Sequence, residues 1–443
     1  MYKRKIENKL LEWKARSNHH PLVIKGCRQC GKTSSVVAFA KANYQHVIYI
    51  DFQEHEEYKS FFEGALNTDT IVLNITLGMP NVTFVPGQTC LIFDEIQECP
   101  RARSSLKYFA LDGRYDVICT GSLLGVSSYK YLDKNDEKAP IPVGFEEIIN
   151  MYPLDFEEWL WANGVQPQHI DYMQQSLNRS EPINEAIHQR MRELLLKYVI
   201  VGGMPAAVSA FLNLNDINRV QKVQRDIIDA YKDDMIKYAS NHDKPLIKEC
   251  FESIPAQLAR ENKKFKYSTI RNNARASQYQ GSLQWIEDAG IIRRCYNLNI
   301  TELPLDGNAI KDSFKVYMAD IGLLVCMLEE GTAWSIMQGN LFGYKGAIFE
   351  NLIADILGKM GRKLYYFKKN SGLEIDFVIR YKGDCYPLEC KASNGNAKSL
   401  KTILKHPEHY HVTQAIKLGD YNIGKNNSIL TIPLYLAFLL TEY

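Results

Sequence analysis

Val23-Ile24-Lys25-Gly26-Cys27-Arg28-Gln29-Cys30-Gly31-Lys32-Thr33-Ser34 decides how the rest of the chain is read. An apolar run enters a loop bounded by Gly26 and Gly31, and Ser34-Ser35-Val36-Val37-Ala38-Phe39-Ala40 continues it as a helix. Gly26 and Gly31-Lys32-Thr33 fit G-x-x-x-x-G-K-[ST], in which backbone N–H groups and a helix N-terminus face phosphate oxygens. Lys32 then reaches the β and γ oxygens of a nucleotide, and Thr33 offers its hydroxyl to Mg²⁺. The loop Gly26, Cys27, Arg28, Gln29, Cys30, Gly31, Lys32, Thr33 and Ser34 is therefore expected to line a site for ATP and Mg²⁺. A mere glycine turn beside a surface lysine would need neither the strand before it nor the helix after it.

Such a loop works with an acidic strand end. Thr89-Cys90-Leu91-Ile92-Phe93-Asp94-Glu95 supplies one: an apolar run, as in a central parallel strand buried on both faces, that stops at two carboxylates. Asp94 would take Mg²⁺ through water, and Glu95 would polarise the attacking water as the catalytic base. His46–Phe52 and Asp116–Thr120 are further strand candidates. Strands alternating with helical stretches predict an α/β fold with a parallel sheet. Thr120-Gly121-Ser122 ends the last of these strands; Thr120 and Ser122 are either hydroxyls that sense the γ-phosphate or the residues of a plain turn.

The chain has 443 residues, a formal charge of +2, 46% hydrophobic and 23% charged residues, which excludes disorder and predicts two to four domains. Its ten cysteines are scattered, several inside apolar runs, as in a protein of the reducing cytoplasm. Cys27 and Cys30 form a C-x-x-C with no second pair, a poor zinc site. Met1 to Trp13 is charged and helix-periodic, unlike a leader peptide, and the apolar tail Ile429–Leu440 is too short to span a bilayer. No membrane association is expected.

Val143–Tyr152 reads as a last strand, with Pro153 as a stop and Asp155 as a helix cap. The pattern then stays helical to about Ser240 with a break at Val201-Gly202-Gly203-Met204-Pro205, a plausible lid over the nucleotide. Taken together, the phosphate loop, Phe93-Asp94-Glu95-Ile96-Gln97, Thr120-Gly121-Ser122, Met151–Trp159, Val201–Pro205 and Ala230-Tyr231-Lys232-Asp233-Asp234-Met235 resemble the prokaryotic AAA-type ATPases that carry a C-terminal domain of unknown function, the DUF4143 group. The resemblance runs the length of the chain. Two cysteines in the loop depart from the family's small or aliphatic residues there and open the loop to thiol oxidation.

Residues 246 to 330 read as three short helices, Phe251–Ala259, one opened by Tyr267 and one ending at Gly290, and then a hairpin from Ile291. That order resembles a winged helix, as the family resemblance also implies. Between Ala259 and Arg275, Arg260, Lys263, Lys264, Lys266, Arg271 and Arg275 stand against Glu261 alone, six bases to one acid and a local charge of +5. Of these, Lys263, Lys264, Lys266, Arg271 and Arg275 are the expected contacts to DNA phosphates; a solvated or protein-docking face is the other reading.

In the last hundred residues, Glu350 lies on an apolar helical stretch, and Glu374–Ile379 and Tyr386–Lys391 read as paired strands. Residues two apart share a strand face, so Glu389 and Lys391 project together and Asp376 can join them. Two or three carboxylates with a lysine resemble the PD-(D/E)XK nuclease arrangement. Glu350, Asp376 and Glu389 would be metal ligands and Lys391 catalytic, because three carboxylates repel without a cation. A buried ionic cluster kept for binding or assembly is the alternative.

The expected division is a P-loop core over 1–150, a helical lid over 151–245, a winged-helix unit over 246–335 and a nuclease-like α/β domain over 336–443. The expected work is ATP hydrolysis coupled to DNA binding or processing. A nucleotide-dependent switch that docks a protein partner, or assembles with copies of itself, is the reading from a different class. Arg101, Arg103 and Arg114 are candidates for an arginine finger.

Overall fold

The computed structural model describes residues 2–123, 142, 144–239, 242–260, 263–340, 344–391 and 397–441. Val143, expected to open a strand, and Glu261, the acid of the basic stretch, lie outside them. The chain forms two units, Met1–Pro153 with Asp288–Gly290, and Leu154–Glu287 with Ile291–Tyr443. Among the described residues no helix is long and apolar enough to cross a membrane.

In the first unit β1 (Leu22–Gly26), β2 (His46–Asp51), β3 (Thr89–Asp94), β4 (Asp116–Ser122) and β5 (Glu147–Met151) form one sheet in the order β2-β3-β4-β1-β5. Every neighbouring pair is parallel. Parallel neighbours need crossovers, supplied by the helices Lys32–Asn43, Thr68–Gly78 and Pro100–Asp112. Side-chain alternation sends successive strand residues to opposite faces. Val23, Leu91 and Phe93 pack with Ile50, Phe62 and Leu106, whereas Leu22, Ile24, Cys90 and Ile92 pack with Trp13, Val36 and Phe39. All six residues of β3 are buried, which is why it reads as an unbroken apolar run. Because the strands run the same way, β1, β3 and β4 all end at one edge, and that edge carries Gly26, Asp94 and Ser122.

The helices Phe156–Ala162, Pro167–Arg179, Glu185–Val201, Pro205–Leu214 and Ile217–Tyr238 belong to the second unit. The expected lid is thus part of that unit's own packing, since its apolar faces are satisfied there: Glu185–Val201 packs on the helix Ile321–Met327. Asp155 does cap its helix, with Glu158 completing a capping box. Two of the sequence motifs meet at one buried cation. The Lys359 ammonium donates to Asp320 Oδ2 at 3.1 Å, Asp355 Oδ2 at 3.1 Å, Tyr198 OH at 3.0 Å and Leu154 O at 3.2 Å. Gly203 must be glycine here: a Cβ would lie 1.9 Å from Leu154 O and 2.9 Å from the Lys359 ammonium.

Strands β6 (Ile292–Leu298) and β7 (Ala309–Met318) form the expected hairpin, but β6 also pairs in parallel with β8 (Leu364–Lys368), and β9 (Glu374–Ile375) follows. The sheet β7-β6-β8-β9 therefore runs across the boundary expected near residue 335. The second expected helix of the winged unit is only a single 3₁₀ turn, Tyr267–Thr269, between the helices Asp243–Leu258 and Ala276–Asp288. Asn272-Asn273 follows, and Asn273 has φ +66°, a break that helix-poor Ser, Thr and Asn residues favour. β10 (Phe377–Tyr381), β11 (Asp384–Cys390), β12 (Ala415–Gly419), β13 (Gly424–Asn426) and β14 (Ile429–Pro433) form a mixed sheet in the order β10-β11-β12-β14-β13.

Candidate functional site

The phosphate loop is shaped by two close constraints. Gly31 sits at φ +97°, which a side chain would strain, and a Cβ on Gly26 would lie 2.3 Å from Met151 O. Arg4 pins the loop, donating to Cys30 O at 3.1 Å and Tyr152 O at 2.7 Å. The Lys32 ammonium lies across the loop on Gly26 O (3.2 Å) and Cys27 O (3.0 Å). Hydrogen bonding from Cys27 brings the Cys30 thiol down to about 6 against the effect of burial, with Lys32 and Arg4 adding to it. Neither loop cysteine is in a disulfide.

Asp94 gathers the other groups. Its Oδ1 accepts from Thr33 at 3.1 Å and from Thr120, and its Oδ2 accepts from Tyr49 at 2.6 Å. The β3–β4 pairing brings the Thr120 hydroxyl, still within β4, to Asp94. Ser122 lies at the strand end opposite Gly26. Tyr49 was not legible in the sequence, because nothing in β2 marks which of its residues faces the neighbouring strand's end. Glu95 takes φ +51°, an uncommon conformation for a side-chain-bearing residue, with its N–H on Asp94 Oδ1 at 3.2 Å. Burial raises the Glu95 carboxyl above its ordinary range, against bonds and charge from Gln97 and Lys32.

The finger candidates are engaged inside their own unit. Arg103 is buried in a two-pronged pair with Glu146 (2.6 and 3.1 Å), Arg114 pairs with Asp112 and Asp69, and Arg101 donates to Phe62 O and Gly64 O.

In the second unit Asn351 sets the register of the helix Lys345–Lys359 on β7, accepting from Met318 N at 2.9 Å and donating to Met318 O at 3.1 Å. The residue before it, Glu350, is thereby delivered to Lys315 (2.9 Å) and Tyr317 on β7 and to Lys263. Lys315 also pairs with Glu374 at 2.8 Å, and Lys368 with Glu374 at 2.5 Å. Lys391 and Glu389 do project together, at 2.5 Å. Asp376 accepts from Cys390 N at 2.8 Å, and burial, then Glu350, raises it to about 7.

This arrangement does not fit a metal ion. Among the described residues no group of three Asp, Glu, His or Cys side chains is placed to hold one. Glu350, the expected third ligand, is neutralised by the chain's own ammonium groups. The premise that Lys391 alone faces three carboxylates fails, because Lys263 and Lys315 reach the cluster from elsewhere in the fold.

A family model described as an AAA domain matches residues 18–160, and the DUF4143 domain of unknown function matches 345–436. The chain joins an AAA domain to a DUF4143 domain. Between them, a further domain of unknown function, DUF8612, matches 192–333. Among solved structures the chain is similar to the Walker-type ATPase PABY2304 of Pyrococcus abyssi, at 15% identity over 74% of this chain and 96% of that one, with a TM-score of 0.44. No curated protein matches it.

The residues matched by the AAA model thus include the loop Gly26–Ser34, Asp94, Glu95, Thr120 and Ser122, and those matched by the DUF4143 model include Glu350, Asp376 and Glu389. Between the two, the expected DNA contacts divide. Lys264, Lys266, Arg271 and Arg275 are exposed, and Gln257 fixes the segment by bonding both Lys266 N (3.1 Å) and Lys266 O (2.8 Å). Lys263 faces the other way, onto Glu350, and is not a surface contact.

Proposed function

We propose that the AAA domain binds and hydrolyses ATP with Mg²⁺ at the strand-end edge of its sheet. The observation that carries this reading is the meeting of Thr33, Asp94 and Thr120 in one hydrogen-bonded set beside the loop that Lys32 spans. A hydroxyl and a carboxylate 3.1 Å apart are hard oxygen donors suited to Mg²⁺, so Thr33 and Asp94 would hold it. Bound with the nucleotide, Mg²⁺ neutralises charge on the β- and γ-phosphates. The loop N–H groups and the helix N-terminus bind the phosphates, and Lys32 adds a positive charge there. Glu95, with its raised basicity, takes the proton of the attacking water, and Thr120 holds Asp94 in position. Phosphate release by the full chain with Mg²⁺-ATP tests this. Glu95→Gln should bind ATP as the parent does and turn over about 10²–10³-fold more slowly; equal turnover removes Glu95 from the role of base.

ATP hydrolysis in turn gates binding to DNA through phosphates. The exposed Lys264, Lys266, Arg271 and Arg275 support this second reading over a protein-docking switch. Binding of a random-sequence duplex should fall steeply with salt, and its absence at low salt would favour the protein partner. None of the ten cysteines is in a disulfide, which agrees with work in a reducing cytoplasm.

A further inference from the structure

Phe93-Asp94-Glu95-Ile96-Gln97 runs two residues past the base, and Gln97 belongs neither to the loop nor to the Thr33, Asp94 and Thr120 set. The chain turns sharply between Glu95 and Gln97. Glu95 at φ +51° opens a single 3₁₀ turn, Ile96–Glu98, in which Glu98 N donates to Glu95 O at 2.9 Å. Ile96 is fully buried in the same core as Leu91 and Phe93 of β3, which fixes the turn from below. The polar side chains on either side of it are left to meet each other, and Gln97 Nε2 donates to Glu95 Oε2.

The other end of that amide is the informative one. Gln97 Oε1 is buried and has no hydrogen-bond partner among the described residues. Reversing the amide would not cure this, since its carbonyl would then face a carboxylate oxygen, acceptor against acceptor, and the bond to Glu95 would be lost. A buried acceptor without a donor is costly, so each one in a folded chain calls for a reason, and a catalytic role is among them. Here the unpartnered oxygen sits beside the base. Lys32 and Arg28 of the phosphate loop lie close enough to act on the Glu95 charge, so carboxylate and amide together border the loop.

Hydrolysis has a use for a second acceptor at this place. Water attacks phosphorus with a lone pair, which lies along the line of attack only when both O–H bonds point elsewhere. Glu95 accepts one of them. Held by that bond alone, the water turns freely about it, and most of its orientations are unproductive. We propose that Gln97 is a catalytic residue of this hydrolysis, its Nε2 holding Glu95 and its Oε1 accepting the second O–H of the attacking water. As the new O–P bond forms, the bond from the γ-phosphorus to the bridging oxygen breaks. One water proton passes to Glu95; the other stays on the attacking oxygen, bonded to Gln97 Oε1, and leaves with the phosphate. The proposal rests on the ATPase reading, and its test keeps the two apart.

The test is phosphate release from Mg²⁺-ATP by the full chain. Gln97→Met keeps the length of the side chain and removes both amide groups. Its kcat should fall about 10- to 100-fold with KM within about twofold of wild type, and ADP affinity by titration calorimetry should be unchanged, which separates loss of the clamp from loss of the fold. Equal turnover by Gln97→Met and an active wild type overturns the proposal and leaves the ATPase reading standing, whereas a wild type that binds ATP and releases no phosphate overturns both. A second comparison isolates Oε1. In Glu95→Ala no carboxylate remains for Nε2 to hold, so adding Gln97→Met should slow the residual rate a further several-fold only if Oε1 itself holds the water. No further loss there would mean that Gln97 acts through Glu95 alone, and the role given to Oε1 falls.

Discussion

The two charged sites solve the same problem, holding like charges together, with opposite sequence logic. In the phosphate loop the cation is local: Lys32 lies six and five residues from the carbonyls it touches. In the DUF4143 cluster the cations come from 87 and 35 residues away, Lys263 and Lys315 converging on Glu350. The first site waits for phosphate charge from a ligand, whereas the second has neutralised itself from within. A lysine near carboxylates in sequence therefore says less about function than the route by which it arrives.

That contrast can be broken most directly at Glu350. Glu350→Ala leaves Lys315 buried without its main partner and should cost about 3–5 kcal/mol, read as a lowered urea midpoint. A loss below about 1 kcal/mol would mean the cluster is solvated and not self-neutralised. In the loop, by contrast, Lys32→Ala should leave the urea midpoint nearly unchanged while weakening ATP binding about 10²-fold, measured by titration calorimetry. A large stability loss there would make Lys32 structural, like Glu350, and erase the difference between the sites.

The Lys359 hub sharpens the comparison through pH. Asp355, facing Lys359, Asp320, Tyr198 and Arg293, is raised by burial to about 6. A folded value above the unfolded one means the folded state holds the proton more tightly. This contribution is therefore full below about pH 4 and lost as pH rises through about 6. Wild type should lose about 1–3 kcal/mol from this group between pH 4 and 7, and Asp355→Asn should flatten that part of the profile in urea melts. Parallel profiles would show that Asp355 titrates at its ordinary value. The smallest effect is at the exposed segment: Lys264→Ala with Lys266→Ala should lower the salt slope of DNA binding by about two, with little change in fold stability. The same slope change from Lys263→Ala would place Lys263 at the surface and count against its pairing with Glu350.

Much of the first unit was legible because its determinants are contiguous. Gly26 to Ser34, the buried β3 ending in Asp94-Glu95, and the alternation of strands with helices each express a periodicity or a turn requirement within a dozen residues. Tyr49 escaped notice because its contact with Asp94 depends on the β2–β3 pairing. In the second unit the motifs around Leu154 and Gly203 were visible as text but mute as to purpose. Their reason is the approach of two backbone segments to the Lys359 ammonium.

What the sequence alone determined, then, is the parallel α/β core and its phosphate loop, since hydrophobic period, glycine placement and a charged strand end act over short stretches of chain. What only the tertiary structure decided is the state of the carboxylate cluster and the parentage of the helices after Pro153. Both depend on which distant surfaces meet. Charge pairing in a buried site is set by the summed field of every group the fold brings within a few ångströms, and Lys263, Lys315 and Glu350 have no local pattern that could announce one another.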